Sequence, residues 1–147
     1  MTNQASALWK DGPYAGMGQV TLPSGVLSNT NYGLAPAAVP GRTNPVELLA
    51  AAIATAVSAT IAIKMGSLGA RPAAIETHVV IKLQEAADRW KIVAVHLEIG
   101  GQVSNADIDV FRNAVEEAQA DCPIASELNL PVSCSTKVVP LGSEMVA

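Results

Sequence analysis

The chain has 147 residues and a formal net charge of −4, and 50% of its residues are hydrophobic although only 3% are aromatic. This length is sufficient for one domain with its own core, which Ala, Val, Leu and Ile must supply. The 9 basic residues are spread along the chain. That distribution excludes the basic surface with which a nucleic-acid-binding protein contacts phosphates, so we expect no nucleic-acid partner.

The location of the protein is predicted from its N-terminus and its cysteines. The first residues lack the basic, apolar and cleavable pattern of a signal peptide. Two cysteines without an export signal favour the reducing cytoplasm over a disulfide scaffold. The uncharged, Ala-rich run at residues 48–63 is shorter than the about 20 strongly apolar residues that cross a membrane. We therefore predict a buried core helix and no membrane partner.

The N-terminal region predicts short strands separated by turns. Pro and Gly at residues 11–13 and 23–25 favour tight turns, because Pro fixes φ and Gly accepts positive φ. Two prolines at residues 34–42 predict an irregular loop. The predicted strands are residues 5–10, 18–22 and 25–31.

A long helix then begins with clear end signals. Asn44 is a favourable cap, Pro45 suits the first helical position, and the Glu47 carboxylate suits the positive end of the helix dipole. Gly66 or Gly69 is expected to end the helix. Because the helix is apolar on nearly every side, other elements must cover it. In a chain this short, a second subunit is a natural cover.

The second half of the chain alternates between sheet and helix. A capping-box match from Ser104 to Asp107 predicts the start of a second helix, and a short helical turn is expected after Pro123. Strands before, between and after the helices predict the α+β class. The predicted strands are residues 75–84, 90–99 and 131–139, with residues 85–89 as the hairpin connection.

Two histidines fall on the polar face of the predicted strand pair. His78 and His96 alternate with Glu76 and Glu98, so a divalent metal site is one interpretation. The other is an ordinary solvated face of an antiparallel sheet, and we predict no metal and no cofactor. The hydroxyl residues of the long helix have no histidine in local reach, which argues against a serine nucleophile there.

Two segments resemble the OsmC/Ohr family of organic hydroperoxide reductases. One is Asn44–Val57 at the start of the long helix, and the other is Cys122–Ser126. The resemblance implies an antiparallel sheet with a long central apolar helix and a second helix, in an intertwined homodimer whose N-terminal strands join a shared sheet. It also implies a reactive cysteine on the long helix and a resolving cysteine in the Cys-Pro segment.

The chain departs from this family pattern at the reactive cysteine. Counted from Asn44, that cysteine should stand at position 56, where this sequence has Ala56. Cys122 matches the resolving cysteine but lacks its partner, so a small buried packing thiol is the other interpretation. The resemblance gives Cys134 no role, and a Cys122–Cys134 disulfide stays open as an alternative.

The family's carboxylate and arginine also differ here. Family members place Glu directly after Asn-Pro, but this chain has Val46 there and Glu47 one residue later. One helical step rotates a side chain by about 100°, so Glu47 is expected to point elsewhere and to cap the helix. The loop at residues 11–18 has no arginine, which leaves Arg42 as the candidate. Arg42 either reaches a site near the start of the helix or, as we favour, lies in solvent.

Candidate site residues are therefore Arg42, Glu47, Ala56 and Cys122. Without the reactive thiol, we expect no peroxidase activity. We expect instead that a small apolar or peroxide-like ligand binds at the dimer interface, in the space left by Ala56. The alternatives are a weak redox enzyme acting through Cys122 and a structural or regulatory dimer without a ligand.

Overall fold

A computed structural model describes residues 1–12, 16–35, 37, 39–87 and 89–143. The α+β class is confirmed, and the chain divides into two compact units, residues 1–49 and 50–147. A 3₁₀ turn at Asn105–Asp107 precedes the second helix. The strands and helices are β1 (Ser6–Lys10), β2 (Met17–Thr21), β3 (Thr30–Tyr32), α1 (Pro45–Ser67), β4 (Ala74–Ala86), β5 (Arg89–Val103), α2 (Ile108–Asp121), α3 (Pro123–Glu127) and β6 (Val132–Pro140).

The first unit contains an antiparallel sheet with the strand order β1-β2-β3. Gly18 of β2 is paired with both Trp9 and Tyr32, whose ring centroids are 5.6 Å apart. A Cβ atom on Gly18 would overlap the Tyr32 ring. The glycine is therefore needed for the two aromatic rings to meet over the middle strand.

The third predicted strand, residues 25–31, was wrong in its extent. The strand covers only Thr30–Tyr32, because the preceding residues fold into a turn. The Leu22 N–H donates to the Leu27 carbonyl at 2.9 Å. Asn29 has a φ of 49° and donates its N–H to Thr21 Oγ1 at 3.0 Å. These local bonds satisfy backbone groups that a strand would leave for a neighbour.

The ends of α1 confirm the predicted start and stop signals. At the start, the Glu47 N–H donates to Asn44 Oδ1 at 2.8 Å, so Asn44 caps the helix. At the end, Gly69 has a φ of 76° and the Ala70 N–H donates to the Met65 carbonyl at 3.0 Å. This is the left-handed glycine termination of a helix.

Within one chain, α1 is buried along a single stripe. Ile53, Val57, Ile61 and Met65 are fully buried, while most other positions of the helix are half-buried or exposed. One chain alone therefore does not cover the other faces of α1, and cover by a second subunit stays a prediction. By length and composition alone, the helix is also long and apolar enough to cross a membrane.

The second unit contains a mixed sheet with the order β4-β5-β6. The β4–β5 pair is antiparallel, but β6 runs parallel to β5. The expectation of a purely antiparallel sheet is thus wrong at β6. The cause is the connection between β5 and β6, which carries α2 and α3 and returns the chain to the end at which β5 began.

The β4–β5 hairpin is tighter than predicted. The strands continue to Ala86 and from Arg89, so residues 85–89 do not form a five-residue connection. Ala87 has a φ of 57°, a conformation that suits a tight hairpin turn. Asp88 lies outside the described residues.

Helix α2 covers the apolar face of this sheet. It begins at Ile108, four residues later than predicted, because Asn105–Asp107 first form the 3₁₀ turn. The Ser104 hydroxyl donates to the Asp107 carboxylate at 2.7 Å instead of capping a backbone N–H. Phe111 is fully buried and lies over Gly101 of β5.

We expect Gly101→Ala to lower the free energy of unfolding by about 1–3 kcal/mol. A Cβ atom at position 101 would overlap the Phe111 ring, which must then leave its site in the core. Gly66→Ala is the control, because nothing lies within 4 Å of a Cβ atom there and alanine favours a helix. Urea unfolding of both variants measures the difference; equal stabilities would contradict this packing.

Candidate functional site

The start of α1 engages Glu47 in local hydrogen bonds. The Glu47 carboxylate accepts a hydrogen bond from the Thr43 hydroxyl at 2.7 Å, and the Glu47 backbone N–H donates to Asn44 Oδ1. The side chain is exposed. The bond from Thr43 keeps the carboxylate at the helix end, while the cap of the backbone is Asn44.

Arg42 lies beside Gly33 in the same unit. The Arg42 Nε atom is 3.2 Å from the place where a Cβ atom on Gly33 would stand. The Gly33 N–H donates to the Thr43 carbonyl at 2.9 Å, and this bond places the preceding residue, Arg42, next to Gly33. Arg42 is exposed, and within the described residues no ion pair joins it to Glu47.

Ala56 and Cys122 belong to the second unit. Ala56 is half-buried at the border of the buried stripe of α1. Cys122 is 0% exposed and caps α3, and its carbonyl accepts the Ser126 N–H at 3.0 Å and the Ser126 hydroxyl at 2.9 Å. In the single chain, such a thiol is closed to a peroxide in solution.

Cys134 has a different environment on β6. It is half-buried, and burial raises the pKa of its thiol, an effect that the Thr136 hydroxyl partly offsets. Both Cys122 and Cys134 are free thiols, so the alternative of a disulfide between them is wrong for this structure. A raised pKa keeps Cys134 in the less reactive thiol form at neutral pH.

Lys64 joins α1 to the end of α2, which the sequence analysis missed. Its Nζ atom is 2.7 Å from Asp121 Oδ2 and 3.0 Å from Glu117 Oε2. Hydrogen bonds to Asp121 and then Glu117 raise the pKa of Lys64 above its ordinary 10.5. Glu117 and Asp121 lie near the C-terminus of α2, where negative charge interacts unfavourably with the helix dipole. Two carboxylates at this end of a helix, just before Cys122, indicate that a cation lies nearby.

We expect Lys64→Met to lower stability at neutral pH and to have no effect in strong alkali. A raised pKa in the folded state means that the contribution is complete below pH 10.5 and is lost as pH rises through the folded value. The stability difference from wild type should therefore vanish above that range. The free energy of unfolding, measured from neutral pH to above pH 10.5, tests this expectation, with the exposed Lys82→Met as control. A stability difference that does not depend on pH would contradict the ion pairs.

The polar face of the C-terminal sheet holds both histidines, as predicted. His78 Nε2 is 3.1 Å from Glu76 Oε1, and His78 is directly opposite Glu98. His96 Nδ1 is 2.8 Å from the Ser133 hydroxyl. Within the described residues, no three His, Cys, Asp or Glu side chains are close enough to hold a metal.

Four surface depressions of the described chain have linings that do not include Ala56 or Cys122. One of them is lined by Arg42, together with Gly33, Thr43 and Asn44. Another lies on the polar face of the C-terminal sheet and has a volume of about 250 Å³. A ligand pocket beside Ala56 therefore needs lining residues other than those of these four depressions.

Comparison with known proteins decides the family. Residues 38–137 match the sequence model described as OsmC-like protein. The chain belongs to the OsmC-like family. It is 28% identical over 131 residues to Peroxiredoxin OsmC of Escherichia coli K12, a match that covers 88% of this chain and 92% of that protein. The predicted family resemblance is thereby confirmed.

Solved structures share the OsmC-like fold. The OsmC-like protein of Mycoplasma pneumoniae has a TM-score of 0.75 at 10% identity and covers 95% of this chain and 98% of its own. The organic hydroperoxide resistance protein OhrB of Bacillus subtilis has a TM-score of 0.64 at 20% identity, covering 91% and 98%. At these identities, the likeness is one of fold.

Proposed function

We propose that this OsmC-like protein does not reduce organic hydroperoxides, and that in the cytoplasm it binds a small apolar or peroxide-like molecule at an interface between two copies. Family membership indicates peroxiredoxin-like redox chemistry as the starting point. The observation that carries the proposal is Ala56, which stands where the reactive cysteine is expected, on a helix without any cysteine. A thiol peroxidase requires a thiolate nucleophile.

A second copy is the proposed cover of α1. From Ala51 to Ile63, the exposed face of this helix carries no charge, and Ile63 is 71% exposed. Small residues on a helix allow another helix to approach closely, and apolar surface of this extent is unfavourable in water. The exposed residues of this face are Ala51, Thr55, Ala59, Ala62 and Ile63.

The ligand pocket is proposed at the border of this face. Ala56 is half-buried between the buried stripe and the exposed face, so a partner lying on the exposed face would close a cavity there. The methyl group of alanine leaves more space than a larger side chain would. A cavity with aliphatic walls favours an apolar molecule.

Thermal unfolding with straight-chain alcohols tests the ligand. At 100 times its Kd, a ligand stabilises the folded state by about 2.7 kcal/mol, and each kcal/mol raises Tm by about 2–8 °C for domains of 60–250 residues. Ala56→Leu should fill the cavity and remove the shift, whereas Ala120→Leu, on the exposed part of α2, should retain it. A dimer that shows no shift with any chain length would favour the structural or regulatory alternative.

A redox role for Cys122 alone is the second candidate. The cysteine lies at the start of α3, where a helix N-terminus favours the thiolate. Its complete burial opposes this role. Peroxide turnover that depends on Cys122 would favour the second candidate over the first.

A further inference from the structure

We propose that Ser135 and His96 form a second site, on the polar face of the C-terminal sheet, that transfers acyl groups from small carboxylic esters. This site is independent of Ala56 and Cys122. It uses a nucleophile, a base and an orienting hydroxyl that the parallel pairing of β5 and β6 brings together. His96 is paired with Ser133 in this register.

The three side chains are within hydrogen-bonding reach of one another. Ser135 Oγ is 3.3 Å from His96 Nε2, and Ser133 Oγ is 2.8 Å from His96 Nδ1. In the active tautomer, Nδ1–H donates to Ser133, and Nε2 accepts the Ser135 proton. Ser133 thus orients the ring, as the third member of a catalytic triad does. The distance to Ser135 is in the range of catalytic hydrogen bonds before substrate binds.

A depression gives the substrate a place beside Ser135. It has a volume of about 250 Å³. Gly100 lies on its floor and is opposite both Glu76 of β4 and Lys137 of β6. Because glycine has no side chain, a small acyl group fits between these two neighbours.

Lys137 supplies the positive charge that the reaction needs. It lines the depression and stands two residues from Ser135, on the same face of the strand. Its positive charge would stabilise the negative oxygen that forms on the ester carbonyl, against the opposing charge of Glu76 and Glu98, which line the same depression. Ser135 and Lys137 are both exposed, and His96 is half-buried, so an ester in solution reaches all three.

The proposed reaction has two balanced steps. Ser135 Oγ forms a bond to the carbonyl carbon as its proton moves to His96 Nε2, and the ester oxygen then leaves with the bonding electron pair and takes that proton from His96. Water next attacks the acyl-serine with His96 as base, which releases the carboxylic acid and restores the hydroxyl. No oxidant, reductant or metal takes part.

p-Nitrophenyl acetate is the probe, and the Cys134→Ala protein is the parent because an accessible thiol also takes acetyl groups. We expect p-nitrophenolate release, and peptide mass spectrometry after brief exposure should find one acetyl group on Ser135. His96→Gln and Ser135→Ala should each slow release by about 100-fold, the contribution expected from general base catalysis. Ser67→Ala removes a hydroxyl that is bonded to a backbone carbonyl and should have no effect.

Two results would overturn the proposal. One is acetyl groups on lysines or the N-terminus without any on Ser135. The other is equal rates of release for the parent and for a folded Ser135→Ala variant. Ser133→Ala separates orientation from structure: it should reduce the rate without a change in Tm, and an unchanged rate would exclude Ser133 as the orienting group.

Discussion

With an organic hydroperoxide and a dithiol, we expect turnover far below the about 1 per second at the lower end of typical enzymes. The attacking group in this chemistry must be a thiolate. Helix α1 has no thiol at position 56, Val46 stands in place of the family carboxylate, and Cys122 is 0% exposed. An aerobic assay of peroxide consumption measures the rate, with Escherichia coli Peroxiredoxin OsmC as the positive control.

Two matched variants identify the source of any activity. If turnover reaches about 1 per second and Cys122→Ser abolishes it while Cys134→Ser does not, the buried cysteine has taken over the attack. The proposed loss of peroxidase function would then be wrong. If both variants retain the same slow rate as wild type, neither cysteine acts on the peroxide.

Ala59→Asp is expected to separate the proposed dimer into monomers. Ala59 lies on the exposed uncharged face of α1, where a second copy would bury it. An unpaired buried charge costs several kcal/mol, and a symmetric dimer would bury two of them. Sedimentation at micromolar concentration measures the change, with Ala120→Asp on the exposed part of α2 as the control.

The oligomeric state of the wild-type protein can contradict the proposed dimer. A stable, folded wild-type monomer at micromolar concentration would show that α1 needs no second copy. Removal of residues 1–30 is a further check, because the resemblance places these strands in a sheet shared by both subunits. The truncated protein should fail to form a folded dimer.

Elements with strong local signals could be predicted from the sequence. Asn44 acts through a side-chain hydrogen bond to a residue three positions on, and Pro45 and Gly69 act through their own backbone conformation, so the bounds of α1 followed directly. The β4–β5 pair followed from alternation of apolar residues. The parallel direction of β6 could not be predicted in this way, because it depends on where α2 and α3 return the chain.

Site residues that depend on tertiary contacts were harder to predict. The positions of Ala56 and Cys122 came from spacing, but the complete burial of Cys122 depends on packing. Lys64 meets Asp121 across 57 residues, and His96 meets Ser133 across 37. No local pattern marks such long-range partners, so neither cluster was among the predicted site residues.

Disulfide trapping in Ala56→Cys tests most directly whether Ala56 occupies the vacant position of the reactive cysteine. We predict that mild oxidation joins the introduced cysteine to Cys122, with Cα atoms about 5–6 Å apart, and that mass spectrometry records the loss of two free thiols. Activity should stay low, because Val46 cannot replace the carboxylate. Ala59→Cys, about one turn further on the exposed face, should leave Cys122 free. A Cys122 thiol that stays free in oxidised Ala56→Cys would contradict the assignment of this position.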